Sequence, residues 1–344
     1  MTCEPTAKRA REPSLEELFE VGDDVAVTPA FLRARAGALC RALLTRGVLH
    51  AGAARYRITE LECYHRDAAA WPDPFTHGAA LQLTAARWYF HRAGTAYRGG
   101  TYKGLDVTCG VARTRTHGGL LLRGLQRLPD DDGTSSSSNS ESNVDGPCLC
   151  VERILAETGH ASIAEFVAAC LPDGERGTSV LDSRGGTAAL WIEDCGTAFT
   201  PSPALFCTPR IGLTLKSSST KSDREKREEF LFARLRVVTT ETRSRKGRAH
   251  ALLALQLCAG RSAAAAVAAA VGPHARDADV RAAHARAARA AAEVAALAPS
   301  AARARITACH GRAIAPAEWD VLLAAAHRAG LDTPLLPDED NDLQ

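Results

Sequence analysis

Acid and phenol side chains recur at every second position in Glu60-Leu61-Glu62-Cys63-Tyr64. Successive side chains of a strand point to opposite faces, so on an extended backbone Glu60, Glu62 and Tyr64 share one face. Neighbouring carboxylates repel unless one is paired, solvated or protonated. An exposed polar strand face would meet that condition, and so would a functional site. Three features downstream favour the site. An irregular stretch ends in Asp73-Pro74-Phe75-Thr76-His77, a loop-like placement for a site imidazole. Next comes Trp88-Tyr89-Phe90-His91-Arg92, with aromatic rings on successive positions. Finally, Gly118-Gly119-Leu120-Leu121-Leu122-Arg123 closes an apolar run on a guanidinium. A buried or half-buried Arg needs a carboxylate, and Glu60, Glu62 or Asp106 can supply it.

Other chemistry is weakly signalled. Cys148-Leu149-Cys150 has no second pair nearby, which argues against zinc. His65, His77, His91 and His117 would ligate a metal only if the fold gathered them. No P-loop, dinucleotide fingerprint or nucleophile elbow is present, so neither cofactor nor metal is expected.

The elements that must position these groups follow from periodicity and punctuation. Residues 29–49 carry Leu32, Leu39, Leu43 and Leu44 at helical spacing. Residues 55–64 read as a strand, with further strands expected at 87–92, 104–109, 119–125, 187–194, 204–215 and 229–240. Helices are expected at 149–157 and 163–171. Residues 129–146 are Asp, Ser and Asn with almost nothing apolar, the composition of a disordered insertion. Ala-rich helices are expected at 249–271 and 280–297 and a third helix at 318–329, punctuated by Gly272-Pro273 and Pro299. Residues 256–286 also have the outline of a helix-turn-helix, but Ala-rich sequence imitates that motif and simple helix packing is favoured. The chain thus divides into a disordered leader (1–28), an α+β domain (29–245), an Ala-rich helical region (246–330) and an acidic tail (331–344).

Composition sets the class. Of 344 residues, 46% are hydrophobic and 24% charged, as in ordinary globular proteins. The net charge of +2 announces no nucleic-acid partner by a global field, although residues 216–248 are locally basic enough to meet phosphates. Eleven Cys without repeating spacing, and a polar opening without a signal peptide, point to free thiols in a reducing, intracellular setting. No apolar run is long enough to span a bilayer, so no membrane partner is expected. The cluster Lys8-Arg9-Ala10-Arg11 is compatible with a nuclear address, and the C-terminal helices with a protein partner.

Taken in order, these motifs resemble the alkyladenine (3-methyladenine) DNA glycosylase family. The resemblance runs from about Leu39 to Val238. It rests on Glu60-Leu61-Glu62-Cys63-Tyr64, His77, Trp88-Tyr89-Phe90-His91, Leu105-Asp106-Val107-Thr108 and Leu121-Leu122-Arg123-Gly124-Leu125. It continues through Gly146-Pro147, Leu190-Trp191-Ile192-Glu193 and Pro209-Arg210-Ile211-Gly212-Leu213. It implies an α+β fold with a single curved, mainly antiparallel sheet and flanking helices, followed here by the Ala-rich helical extension. It also implies monofunctional hydrolysis of the N-glycosidic bond of a flipped, damaged purine in double-stranded DNA. Glu62 would activate the water, Arg123 would orient Glu62, and Tyr64 and His77 would hold the extruded base.

The sequence departs from the family at several of these positions. Asp106 stands where the family has Asn; an anion there repels base oxygens and accepts from amino groups. His91 replaces a second Tyr as a weaker stacking partner for the base. No clean counterpart exists for the family's intercalating Tyr, which leaves Tyr97 and Tyr102 as candidates. Arg98-Gly99-Gly100-Thr101-Tyr102-Lys103 has the make-up of a phosphate-contacting turn, and Arg210 is a further candidate for DNA contact. A non-catalytic nucleic-acid-binding module on the same scaffold is the alternative.

Overall fold

The computed structural model describes residues 11–129, 143–171, 173–186, 188–216, 220–239 and 277–336. Thr28 caps the first long helix, α2 (Pro29–Arg46), by accepting a hydrogen bond from the Phe31 amide. Its buried Leu32, Leu39 and Leu43 lie on one stripe, which packs on the sheet beside Leu49, Ile58 and Leu61. A short helix, α1 (Leu15–Phe19), precedes it. A Ser14–Glu17 capping box starts α1, its Leu15 and Phe19 are buried one turn apart, and the Leu15 amide donates to Asp194 Oδ2 at 2.6 Å. Residues 11–28 are therefore tied to the domain, contrary to the expected leader; residues 1–10 lie outside the described set.

The strands are β1 (Gly47–Ala51), β2 (Ala54–Asp67), β3 (Trp71–Pro72), β4 (Ala85–Phe90), β5 (Arg92–Ala93), β6 (Ala96–Tyr97), β7 (Leu105–Cys109) and β8 (His117–Arg127). They continue with β9 (Asn143–Asp145), β10 (Leu190–Asp194), β11 (Leu205–Thr208) and β12 (Arg236–Thr239). All but β5 and β6 belong to one curled ten-stranded antiparallel sheet. Its main path runs β10-β1-β2-β8-β7-β4, while β12 pairs with β2 and β11 with β12. The long β2 is the hub. It pairs with β8 from Tyr56 to Arg66, and two register shifts on either side of Glu60 kink it. The mixed α+β class with a curved antiparallel sheet and flanking helices is thus as expected.

Helices α3 (Pro147–Glu157), α4 (Ile163–Cys170) and α5 (Gly174–Gly177) cover part of the sheet. The next segment corrects the sequence reading. Residues expected as strand from 229 onward begin inside α6 (Lys221–Phe232), because Thr220 caps a helix through the Asp223 amide. Phe230 and Phe232 still bury, but as part of the last helical turn, and only Arg236–Thr239 forms a strand. The strand expected at 204–215 shrinks to β11.

A second core joins α6 to α7 (Asp277–Ala295), α8 (Pro299–Thr307) and α9 (Pro316–Arg328). Leu231 and Phe232 meet Ala287, Ala290, Val294, Ile306 and Leu322–Ala326 there. Small residues at helical spacing let these helices approach closely. The helix expected at 249–271, most of the helix-turn-helix segment and the insertion up to residue 142 lie outside the described residues.

Candidate active site

The acids of β2 sit behind the sheet surface in a network of guanidinium groups. Glu60 is fully buried; its Oε1 accepts from Arg123 Nε and from Arg236 Nε, each at 2.7 Å. Burial pushes the Glu60 pKa up, but Arg236 and Arg123 outweigh it and hold the carboxyl below its ordinary value. Glu62, two positions on, is equally buried. Its Oε1 accepts from the Ile211 amide at 2.7 Å, and its Oε2 accepts from the Tyr64 hydroxyl at 2.8 Å and from Arg123 Nη1 at 3.4 Å. A carboxylate offers about four acceptor positions, so one remains. Burial opposes the charge of Arg123, yet Glu62 and Glu60 keep it more firmly protonated than a free Arg.

Arg210 does not face solvent. Its guanidinium is wholly buried, bonded to Asp73 at 2.6 and 3.1 Å and to the Phe230 carbonyl at 2.9 Å. It also stacks 4.4 Å from the Tyr64 ring centroid and 5.5 Å from that of Phe75. The expected phosphate contact at Arg210 is thereby corrected. Asp73 draws it inward, and it braces two aromatic side chains from behind.

Those two rings belong to a small cavity of about 120 Å³, lined by Tyr64, Phe75, His77, Gln82, His91, Asp106, Leu121 and Leu213. A void of roughly 150 Å³ takes a benzene, so this one is on the scale of a single flat ring. Tyr64 belongs to both regions, its ring facing the cavity and its hydroxyl bonded to Glu62. Burial and the adjacent Glu62 push its pKa up, so the phenol keeps its proton.

The opposite wall is built by β4, β7 and the turn at Ala80–Leu83. Asp106 is buried; Oδ1 is 2.7 Å from His91 Nε2 and Oδ2 accepts from Gln82 Nε2 at 3.0 Å. Two glycines allow this packing. A Cβ at Gly119 would lie 2.5 Å from Asp106 Oδ2, and one at Gly104 would overlap the His91 ring. His77 meets His91 edge to face with centroids 4.4 Å apart, and its Nδ1 is 3.3 Å from the Tyr89 hydroxyl. His77 is open to solvent on one side. The loss of water on the other, with the His91 ring nearby, lowers its pKa to about 4, so the imidazole is neutral at pH 7.

Six of the expected residues thus come together: Tyr64, His77, His91 and Asp106 at the cavity, Glu62 one hydrogen bond behind it, and Arg123 behind Glu62. The expected DNA-contacting residues are separate. Tyr97 is tied to Arg92 and Glu175, and Arg98 Nε donates to the Arg92 carbonyl at 3.1 Å. Lys103 pairs with Glu152 at 2.9 Å, whereas Tyr102 is 72% exposed and projects from the turn. A wider groove of about 640 Å³ lies next to the cavity, sharing Tyr89 with the His77 contact and reaching Arg92, Tyr97 and Glu175. Sequence reasoning missed Gln82, Phe75, Leu213 and the Ile211 amide. The Gly212 φ of +81° turns the chain between the last two, the one local signal for them. Among the described residues, no cluster of three or more His, Cys, Asp or Glu is arranged to hold a metal, and no helix is long and apolar enough to cross a membrane.

Comparison with known proteins adds one relative without a function. The chain is 26% identical over 190 residues to an uncharacterized protein of Acanthamoeba polyphaga mimivirus, covering 52% of this chain and 78% of that protein. No family model matches.

Proposed function

We propose that the protein is a monofunctional N-glycosylase that hydrolyses the bond between a sugar and a damaged or unusual purine flipped out of double-stranded DNA. The observation that carries this reading is the double role of Tyr64. One residue lines a ring-sized cavity and hydrogen-bonds the buried acid behind it. In the reaction, Glu62 takes the proton of a water as its oxygen bonds to C1′. The C1′–N bond breaks, its electron pair leaves on the base, and the proton taken from the water passes from Glu62 through solvent to the departing base. Arg123 holds Glu62 in place. Tyr64, His77 and His91 give the base the ring contacts it loses on leaving the stack. No cofactor takes part in this scheme. The exposed Tyr102 is the candidate to fill the gap left in the duplex. A DNA substrate would put the protein in the nucleus, with Lys8-Arg9-Ala10-Arg11 as the address.

The test is incubation with duplexes carrying hypoxanthine, ethenoadenine or an alkylated purine, followed by alkaline cleavage of abasic sites. Strand cleavage is expected, and Glu62→Gln should reduce it by about 10²- to 10⁴-fold while DNA binding is kept. One observation favours a second reading, a binding module without turnover: Glu62 has no exposed surface. Salt-sensitive binding with no base release from any of these duplexes would establish that reading instead.

A further inference from the structure

The chemistry of the cavity wall goes further than holding a flat ring. Tyr64, Phe75, His77 and His91 offer ring faces, and Leu121 and Leu213 offer only hydrocarbon. Asp106 is the cavity's one carboxylate. Its oxygens receive one bond each within the protein, from the His91 and Gln82 side chains, and both of those residues also line the cavity. With about two acceptor positions per oxygen, one on each stays open. The carboxylate cannot swing aside to hide them. His91 and Gln82 hold it by both oxygens, and Gly119 lacks the Cβ that would stand 2.5 Å from Oδ2.

A fixed carboxylate with one free position on each oxygen matches two adjacent N–H donors on a ring edge. Guanine has that edge, with its N1–H beside the 2-amino group; hypoxanthine is the same ring system without the amino group. We infer that Asp106 determines specificity by selecting a purine whose ring N–H is flanked by an amino group, as in guanine and its derivatives, over hypoxanthine, the ring that lacks that group. The inference deepens the glycosylase reading and rests on it for the purine, but it concerns binding and needs no turnover.

The experiment compares 2′-deoxyguanosine with 2′-deoxyinosine by calorimetric titration of the full chain. The wild type is expected to bind deoxyguanosine about tenfold more tightly, the scale of one good two-point hydrogen-bond match. Asp106→Asn turns one acceptor into a donor and should bring the ratio to about one. Gly119→Ala keeps Asp106 but pushes its carboxylate out of place, and should lower the ratio in the same direction. Thermal melts of both variants confirm that they remain folded, and the wild-type ratio is decisive even if they do not. Equal binding of the two nucleosides by the wild type overturns the inference, as does binding of neither at millimolar concentration. Selective binding without base release from any duplex would keep it and remove the hydrolase reading. Base release with equal nucleoside binding would do the reverse.

Discussion

Two regions meet at Tyr64 and are built on opposite principles. Behind it, the carboxylates Glu60, Glu62 and Asp73 face the guanidiniums of Arg123, Arg236 and Arg210, three against three, all buried. In front of it, aromatic and imidazole rings surround a void. The first region keeps charge inside a protein by matching it with opposite charge and hydrogen bonds. The second holds His77 in the neutral form and leaves space. A buried ion pair is costly to form but far more costly to break, because removing one partner strands the other. A cavity wall is already short of neighbours and has less to lose. The network should therefore be fragile to mutation, and the apolar side of the cavity wall, Leu121 and Leu213, more tolerant.

The sharpest way to break the contrast is Glu60→Ala, which takes the carboxylate from Arg236 and leaves Arg123 with Glu62 alone. Its cost is expected at about 3–5 kcal/mol in urea unfolding, with Asp73→Ala in the same range. A shift of the size seen for surface changes would mean that water, and not the opposite charge, solvates these groups. Leu121→Ala at the cavity comes next, at about 2 kcal/mol, the low end for a buried Leu because the side chain already borders a void.

Acid separates the regions by pH window. The folded-state pKa of His77, about 4, lies below the ordinary 6.5, so the unfolded chain binds its proton first. The stability it contributes is complete above the unfolded value and declines as pH falls from about 6.5 toward 4; His77→Gln should flatten that slope in unfolding curves. Glu60 is also held below its ordinary value of 4.5. Its contribution is complete above that value and disappears only as the pH falls through the depressed one. His65, pushed down to about 3 by burial, and His117, also lowered by burial, add to the slope over the same range, so the cavity's share is the part that His77→Gln removes, and the network's is the part of the loss below pH 4.5 that depends on Glu60. The smallest effect belongs to neither region. Tyr102→Ala should change stability by less than about 0.5 kcal/mol, yet weaken binding to duplex DNA several-fold in titrations.

Much of the sheet was legible because its strands are hydrophobic runs bounded by Gly and Pro. Residues 104–109 and 119–125 fall almost on β7 and β8. The alternation of Glu60, Glu62 and Tyr64 announced one shared polar face, and Arg123 announced its own need for a carboxylate. The failures share one cause. In the segment ending Phe230-Leu231-Phe232, apolar residues satisfy strand and helix spacing alike, and only the Thr220 cap settles the matter in favour of α6. At Arg210, nothing local distinguishes a phosphate-seeking Arg from one claimed by Asp73, 137 positions away.

By itself, the order of residues determined which groups had to be neutralised and which stretches would become strands, since alternation and charge are local properties of the chain. Only the folded arrangement decided the pairings: Glu60 with Arg236, Asp73 with Arg210, Asp106 with His91 and Gln82. Such pairings depend on distances between elements far apart in sequence. A carboxylate in a low-dielectric interior accepts whichever donor the sheet register and the helix packing bring within reach.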